Sequence, residues 1–491
     1  MTQSNNDSDE TLPDRFNEEC AVFGIFGTDE AAVMTALGLH ALQHRGQEAT
    51  GIISYDGTTY HAHRGLGHVG ENFGAQSGHL DKLLGHAAIG HNRYSTTGQP
   101  EIRNIQPFMS ELAFGGFALA HNGNLTNAER LRQSLVNTGS LMQSTTDTEV
   151  LVHLVARSHQ DSPSLRLVDA MKQVEGAYSL VCLTPEGLIG VRDPHGVRPL
   201  VLGQIDGAYV LASETCGLDI IGAEYIRDLD NGEMVVINET GITSSYPFAK
   251  MPSRFCVFEY IYFARPDSVL EGRDVYAARK NIGRQLARES KDLGLMDDID
   301  IVVPVPDSGV PAALGFAEES GLPFELGIIR NHYVGRTFIQ PTDSGRQTGV
   351  KLKHNANAPT VNGKSVVLVD DSIVRGTTSR KIVSMMRTAG ATAVHLCIAS
   401  PPTTHPCFYG VDTPDQDKLI AAKLDTDGIA KEVGADSVTF ISMDGLYRAL
   451  DMPEGRNADA PQFCDACFSG DYPIISVEAE PYAPQIREVK A

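Results

Sequence analysis

The sequence predicts two joined folds. The first is an α+β half with two antiparallel sheet layers between helices, and the second an α/β half on an open parallel sheet. Three observations predict this. From residue 20 to about 245, short apolar strands alternate with Gly/Asn turns and a few helical stretches. From about 255 the rhythm changes to long helix, then strand, then helix. The length of 491 residues suits two or three domains with ample core.

In the first half, helices are expected near 29–44, 126–138, 146–159 and 164–174. In the second, 272–293 reads as an amphipathic helix and 299–306 as the first buried parallel strand. Stretches 326–329, 366–370, 394–399 and 436–441 continue the βα series as further strands. Ligands of open parallel sheets sit outside the carboxyl ends of the strands. Asp307-Ser308 and Asp370-Asp371 both fall there.

Composition narrows the function classes. Net charge is −22 and the pI near 5.1, which disfavours nucleic acid as a partner. Anionic substrates must then be captured by local sites against the overall field. With 42% hydrophobic residues and no stretch approaching ~20 uninterrupted apolar residues, no membrane span is expected. Residues 1–19 carry Asp7, Asp9, Glu10, Asp14, Glu18 and Glu19 against Arg15, with little to bury, and are expected to be disordered. They lack the basic and apolar regions of a secretory signal, so a cytoplasmic, disulfide-free protein is expected despite eight cysteines.

Residues 366–378, Val-Val-Leu-Val-Asp-Asp-Ser-Ile-Val-Arg-Gly-Thr-Thr, are the most informative segment. A β-branched run ends on two acids, and a hydroxyl-rich loop leads into a helix from about 379. Free backbone N–H groups and the helix dipole converge there on an anion. Two carboxylates beside a phosphate cradle make sense if the ligand also carries hydroxyls or a metal ion, as a sugar phosphate does. The alternative is a strand that merely ends in acids before a helix cap. The segment resembles the phosphoribosyl pyrophosphate (PRPP) loop of type I phosphoribosyltransferases. That resemblance implies that Asp370 and Asp371 contact the ribose hydroxyls and help hold one Mg2+ per subunit. It gives the 5-phosphate to Ser372, Arg375, Gly376, Thr377 and Thr378, and places Ser308 near the Mg2+-pyrophosphate.

Cys20 opens an apolar strand directly after the acidic leader. Removal of residues 1–19 would make it N-terminal, and an α-amino group of pKa ~7.7–8 can serve as base for its own thiol. Alone, Cys20 reads more readily as an inert core thiol than as a nucleophile. Four downstream segments change this: 38–48 (Gly-Leu-His-Ala-Leu-Gln-His-Arg-Gly-Gln-Glu), 90–96 (Gly-His-Asn-Arg-Tyr-Ser-Thr), 119–125 (Leu-Ala-His-Asn-Gly-Asn-Leu) and 145–149 (Thr-Thr-Asp-Thr-Glu). Together they resemble the glutamine amidotransferase domain of the N-terminal-nucleophile hydrolases, an αββα sandwich. With the PRPP loop, the chain resembles the glutamine PRPP amidotransferase family over residues 20 to 475.

The resemblance implies the following organisation and chemistry. Residues 1–19 are a cleaved leader, 20–254 the glutaminase domain, 255–455 the phosphoribosyltransferase domain and 456–491 a C-terminal segment. The reaction is the first committed step of purine biosynthesis. Cys20 attacks the glutamine amide, passing through a thioester, and the ammonia goes to C1 of PRPP. The products are 5-phosphoribosylamine, glutamate and pyrophosphate. Asn122 and the Gly123 N–H form the oxyanion hole, where one donor is typically worth ~10²–10³ in rate. Arg93 grips the glutamine α-carboxylate and Asp147 its α-ammonium. His121 is assigned a structural role. Arg45 either orders its loop or is a surface residue. The rival reading is a non-catalytic PRPP or redox sensor on the same scaffold. Glucosamine-6-phosphate synthase would need isomerase sequences where the PRPP loop stands.

Two further segments follow. Residues 330–353 contain Arg330, Arg336, Arg346, Lys351 and Lys353, broken by Pro341, Gly345 and Gly349. The family resemblance makes them a lid over PRPP that completes an ammonia channel, less basic over 343–349 than expected. Cys464 and Cys467 have CxxC spacing, which alone leaves zinc and iron–sulfur open. Cys182 and Cys397 lie in apolar strands, and Cys216 is ambiguous. One branch of the family has a leader and a [4Fe-4S] cluster, and Cys256, Cys407, Cys464 and Cys467 occupy the cluster positions. The family also implies purine nucleotide inhibitors and a homotetramer.

Overall fold

Ala21–Phe26, apolar apart from one glycine, is a strand buried along its whole length. A strand covered on both faces belongs in the middle of a sheet between two layers. In the computed structural model, which describes residues 20–94, 101–331, 354–411, 413 and 415–474, it lies between Ala208–Ala212 and Ala87–Arg93. These are central strands of a seven-stranded antiparallel sheet. A second antiparallel sheet of six strands includes Gly115–Leu125 and Gly176–Thr184. Val22, Ile89, Ala118, Val181, Leu211 and Val235 fill the space between the sheets.

Helices cover the outer faces. Ala31–Ala41 packs through Leu39 and Ala36 into the cluster holding Phe23. Thr148–Arg157 and Pro163–Met171 bury Leu151, Val155 and Leu167 against the second sheet. With Ala128–Asn137, these match the four helical stretches expected from the sequence, Pro163–Met171 starting one residue before its expected 164–174.

The long helix of the second half is Val275–Asp292, whose N-cap Asp274 accepts from the Ala277 N–H at 2.7 Å. Four parallel strands follow in spatial order Ile301–Pro304, Ser365–Asp370, Ala393–Ile398 and Ser437–Phe440. One expected strand is corrected. Residues 326–329 do not join this sheet: Ile328–Arg330 pairs antiparallel with His354–Ala356 as a separate ribbon. The run is too short and too exposed for a buried parallel strand, with Leu326 at 51% and Ile329 at 46% exposure. Phe324 instead makes a single bridge to Val302.

The chain end returns to the start of the second half. Phe463–Cys464 pairs in parallel with Phe255–Cys256, which sets Cys256 beside Cys464. The halves are joined by a buried ionic network, and this settles Arg45 against the surface alternative. It is 1% exposed and bridges Glu214 of the first half and Glu259 of the second. The Arg265 N–H and Ser268 hydroxyl donate to Glu214 at 2.8 and 2.7 Å. Burial opposes ionisation of Glu214, but the Arg45 and His44 partners hold its carboxyl well below the ordinary range. Among the described residues no helix is long and apolar enough to cross a membrane.

Candidate functional site

Cys20 stands immediately before the strand Ala21–Phe26, and Arg93 ends the neighbouring strand, one position beyond the Ala21–Asn92 pair. The Cys20 thiol lies 3.5 Å from the Tyr94 carbonyl. Burial pushes the thiol up to about 11, against smaller opposing effects of the Tyr94 contact and the Arg93 charge. Asp147 and Glu48 also act on it electrostatically. The thiol is therefore neutral at physiological pH unless a base takes its proton.

The second sheet supplies the facing residues. Asn122 and Gly123 lie on Gly115–Leu125, and His91 links the layers, its Nε2 donating to the His121 carbonyl at 3.0 Å. Burial pushes His91 down to about 3, so it is a neutral strut. Asn122 is fully buried, yet neither side-chain oxygen nor nitrogen has a hydrogen-bond partner among the described residues. An unpaired buried amide costs roughly 1–3 kcal/mol, which a hydrogen-bonding ligand would offset. Gly123 has φ +139°, and a Cβ there would lie 2.0 Å from the Ala177 carbonyl oxygen. Only glycine permits that backbone, with its N–H beside the Asn122 amide.

Asp147 is fixed at the start of Thr148–Arg157. It accepts from the Leu125 N–H at 2.9 Å and from the Thr148 hydroxyl at 3.2 Å. His121 is buried, bonds Thr148 at 3.1 Å and approaches Asp147 at 3.6 Å. Burial pushes its pKa down, which suits a structural role. Asp147 also lines a cavity with Asn124, Thr126, Glu129, Arg132 and Phe408. Of these, Phe408 comes from the second half and had no signal in the sequence.

The other predicted cluster lies at the carboxyl end of the parallel sheet. Asp370 ends its strand, and Asp370 and Asp371 are 5% and 4% exposed. Ser308, just past Ile301–Pro304, donates to Asp371 Oδ1 at 2.5 Å, and Ser372 donates to its Oδ2 at 2.7 Å. The Asp371 N–H bonds Asp370 Oδ1 at 3.0 Å. Arg375 and Gly376 precede the helix Thr377–Thr388, where Gly376 takes φ +82° and Thr377 and Thr378 occupy the first turn. Two oxygen-rich acids and a hydroxyl at one point suit a hard divalent cation. Hydroxyls and amides at a helix N-terminus suit a phosphate.

Arg279, unremarked among the cations of an amphipathic helix, was missed by sequence reasoning. It is buried behind this cluster, donates to the carbonyls of Tyr260 at 2.9 Å and Ala264 at 2.7 Å, and feels Asp371 electrostatically. Burial pushes it down to about 10. At the mouth, Arg330 pairs with Asp307. Ser95, Thr96 and residues 332–353 of the expected lid, including Arg336, Arg346, Lys351 and Lys353, lie outside the described residues, as do 1–19 and 475–491.

Cys256, Cys407, Cys464 and Cys467 line one cavity with Arg198 and Phe258. Burial pushes the Cys464 thiol up to about 12 and the Cys256 and Cys467 thiols well above their ordinary value, and the neighbouring cysteines add to each. Four thiols so placed fit a cationic, thiolate-ligating group, whose binding would remove their protons. Among the described residues no three His, Cys, Asp or Glu side chains gather tightly enough for a single ion. A cluster of several irons is wider than one ion and takes its thiolates further apart. Cys182 and Cys397 are buried in Gly176–Thr184 and Ala393–Ile398. Cys216 is buried with its thiol 3.8 Å from Glu214 Oε2, outside the thiol cavity.

Both halves of the chain are similar to known proteins. Residues 91–219 match the glutamine amidotransferase domain family, and residues 273–410 the phosphoribosyl transferase domain family. Amidophosphoribosyltransferase of Rhizobium etli is 56% identical over 466 residues, covering 94% of this chain and 92% of the relative. That of Bacillus subtilis is 47% identical over 475 residues, covering 96% and 97%. The solved structure of B. subtilis glutamine PRPP amidotransferase complexed with ADP and GMP superposes with a TM-score of 0.87 at 46% identity, covering 94% of this chain and 98% of that one.

Proposed function

The chain belongs to the amidophosphoribosyltransferase family, and we propose that its residues divide the family's reaction between the two sites just described. The enzyme is a glutamine-dependent pentosyltransferase that opens purine biosynthesis. Ammonia from glutamine goes to C1 of PRPP, giving 5-phosphoribosylamine, glutamate and pyrophosphate. The observation that carries the residue assignment is the Cys20 thiol within the field of Arg93 and Asp147, combined with the buried, unpartnered Asn122 amide.

Arg93 holds the glutamine α-carboxylate and Asp147 the α-ammonium. Removal of residues 1–19 frees the Cys20 α-amino group, which takes the thiol proton. The thiolate bonds to the side-chain carbonyl carbon while Asn122 Nδ2 and the Gly123 N–H hold the oxyanion. Collapse expels ammonia with the proton from the α-ammonium group, leaving a thioester that water hydrolyses to glutamate. In the second half-reaction ammonia bonds to C1 as the C1–pyrophosphate bond breaks. Asp370 and Asp371 orient the ribose hydroxyls, and Ser372, Arg375, Gly376, Thr377 and Thr378 hold the 5-phosphate. Bound to Asp370, Asp371 and Ser308, Mg2+ would screen the charge of the departing pyrophosphate. Residues 330–353, as the lid over PRPP that the family implies, would keep the ammonia from water.

A [4Fe-4S] cluster on Cys256, Cys407, Cys464 and Cys467 would act as an oxygen-sensitive structural tie, since neither half-reaction transfers electrons. The B. subtilis relative binds ADP and GMP. Purine nucleotides are the feedback inhibitors proposed for this chain, at the PRPP site and a neighbouring one. The assembly is a homotetramer and the location cytoplasmic. Intact mass of anaerobically purified protein, native and then denatured, tests the reading. A chain beginning at Cys20, with a native excess of four irons and four sulfides, is expected. A chain retaining residues 1–19 yet fully active with glutamine overturns the α-amino base. One zinc, or no metal, removes the cluster while leaving the enzyme.

A further inference from the structure

The loop 407–410 belongs to the second half, yet it lies directly on the strand that carries Asn122 and Gly123. The Asn124 side chain donates to the Phe408 carbonyl at 2.9 Å. Asn122 and Asn124 are two apart on one strand and face the same way. Gly410, at φ +113°, sits so close that a Cβ would lie 3.0 Å from Gly123 Cα and carbonyl carbon. Arg198, fully buried, holds the same loop by donating from Nε to the Tyr409 carbonyl at 2.8 Å. The Cys407 N–H is fixed on the Thr413 hydroxyl at 2.7 Å.

This anchoring delivers one side chain. Phe408 is 39% exposed and lines the cavity that contains Asp147, together with Leu125 and Ala128. Tyr472 backs it, ring centroids 5.0 Å apart and tilted 44°. Glutamine has polar groups at both ends and two methylenes between them. Arg93 and Asp147 serve one end, and Cys20, Asn122 and Gly123 the other, so the methylenes between them call for apolar surface, to which Leu125 and Ala128 of the first half contribute in the same cavity.

We infer that Phe408 completes that apolar surface: a specificity-determining residue for glutamine contributed by the phosphoribosyltransferase half. Rigid aromatic surface against the methylenes favours glutamine over asparagine, whose shorter chain cannot span both polar ends past the ring. The inference rests on the assignment of the glutamine site to Cys20, Arg93, Asn122, Gly123 and Asp147. It also makes the glutamine pocket incomplete without the second domain.

The test is the rate of Cys20 alkylation in the leader-free holoenzyme with two reagents, followed by peptide mass. One is a diazoketone analogue of glutamine, which needs the whole pocket, and the other iodoacetamide, which needs only the thiol. Phe408→Ala is expected to slow the analogue about tenfold, the order of losing one aromatic contact, and to leave iodoacetamide unchanged. The KM for glutamine should rise by a similar factor with kcat nearly constant, and Phe408→Leu should recover most of the loss. Equal analogue rates in parent and variant overturn the inference. So does slowing with both reagents, because the ring would then only seal the fold. Failure of the analogue to label Cys20 in the parent enzyme overturns the underlying site assignment instead.

Discussion

Replacing Arg45 by methionine should destabilise the protein at neutral pH far more than at mildly acidic pH. Arg45 is 1% exposed, and its two partners, Glu214 and Glu259, are both 0% exposed. Methionine keeps the volume but leaves two carboxylates buried without their shared cation. Breaking a buried pair from one side typically costs about 3–5 kcal/mol. For a domain of this size each kcal/mol moves the thermal midpoint roughly 2–4 °C, so a fall of roughly 6–20 °C is expected. The pH dependence carries the diagnosis. With Arg45 present, the Glu214 pKa lies below its unfolded value, so its contribution persists above that value and fades only as pH falls through the folded pKa. Without Arg45, burial dominates and the folded pKa rises above ~4.3, so the penalty is greatest at neutral pH and eases as protonation becomes possible. His44, 2.6 Å from the same carboxylate, remains its neighbour in the variant. Thermal unfolding of parent and Arg45→Met between pH 5 and 8 measures both effects. A gap below about 1 kcal/mol, or one that does not narrow toward pH 5, refutes the assignment of Arg45 as the charge that holds the two halves together.

Three further outcomes are expected. Asn122→Ala should lower glutaminase kcat about 10²–10³-fold with little change in thermal midpoint, since the amide it removes has no partner among the described residues; a large stability loss would mean the side chain is structural. Asp371→Asn should weaken Mg2+-dependent PRPP binding roughly 10–100-fold, measured by calorimetry, while glutamine-analogue labelling of Cys20 persists. With residues 1–19 retained, iodoacetamide alkylation of Cys20 should climb about tenfold per pH unit from pH 7 to 10, because burial holds the thiol at about 11. Removal of the leader should bring a plateau near pH 8, the α-amino range. Identical profiles for the two forms would refute the α-amino base.

Much of the site was legible in contiguous residues because its chemistry is local. A strand ending in Asp370-Asp371, a hydroxyl loop and a helix start are neighbours in sequence, so one short run specifies the whole anion cradle. The same holds for Asn122-Gly123 and for the helices over 128–137 and 148–157. The strand expected at 326–329 failed for the opposite reason. Four apolar residues carry no information about which sheet edge is free, and tertiary pairing sent Ile328–Arg330 to His354–Ala356.

The amino-acid order by itself determined the fold classes of both halves and the place of Asp370-Asp371 between a buried strand and a helix start. Only the tertiary structure decided what lies behind and between them. Arg45 meets Glu214 across 169 positions and Glu259 across 214, and Asn124 meets the Phe408 carbonyl across 284. Arg279 comes to lie behind Asp371 from a helix whose pattern shows only amphipathic packing. Periodicity, capping and loop chemistry act between neighbours in the chain and leave a signature there. Buried ion pairs and the wall of a pocket depend on which surfaces close on one another, and that is settled only when the two halves pack.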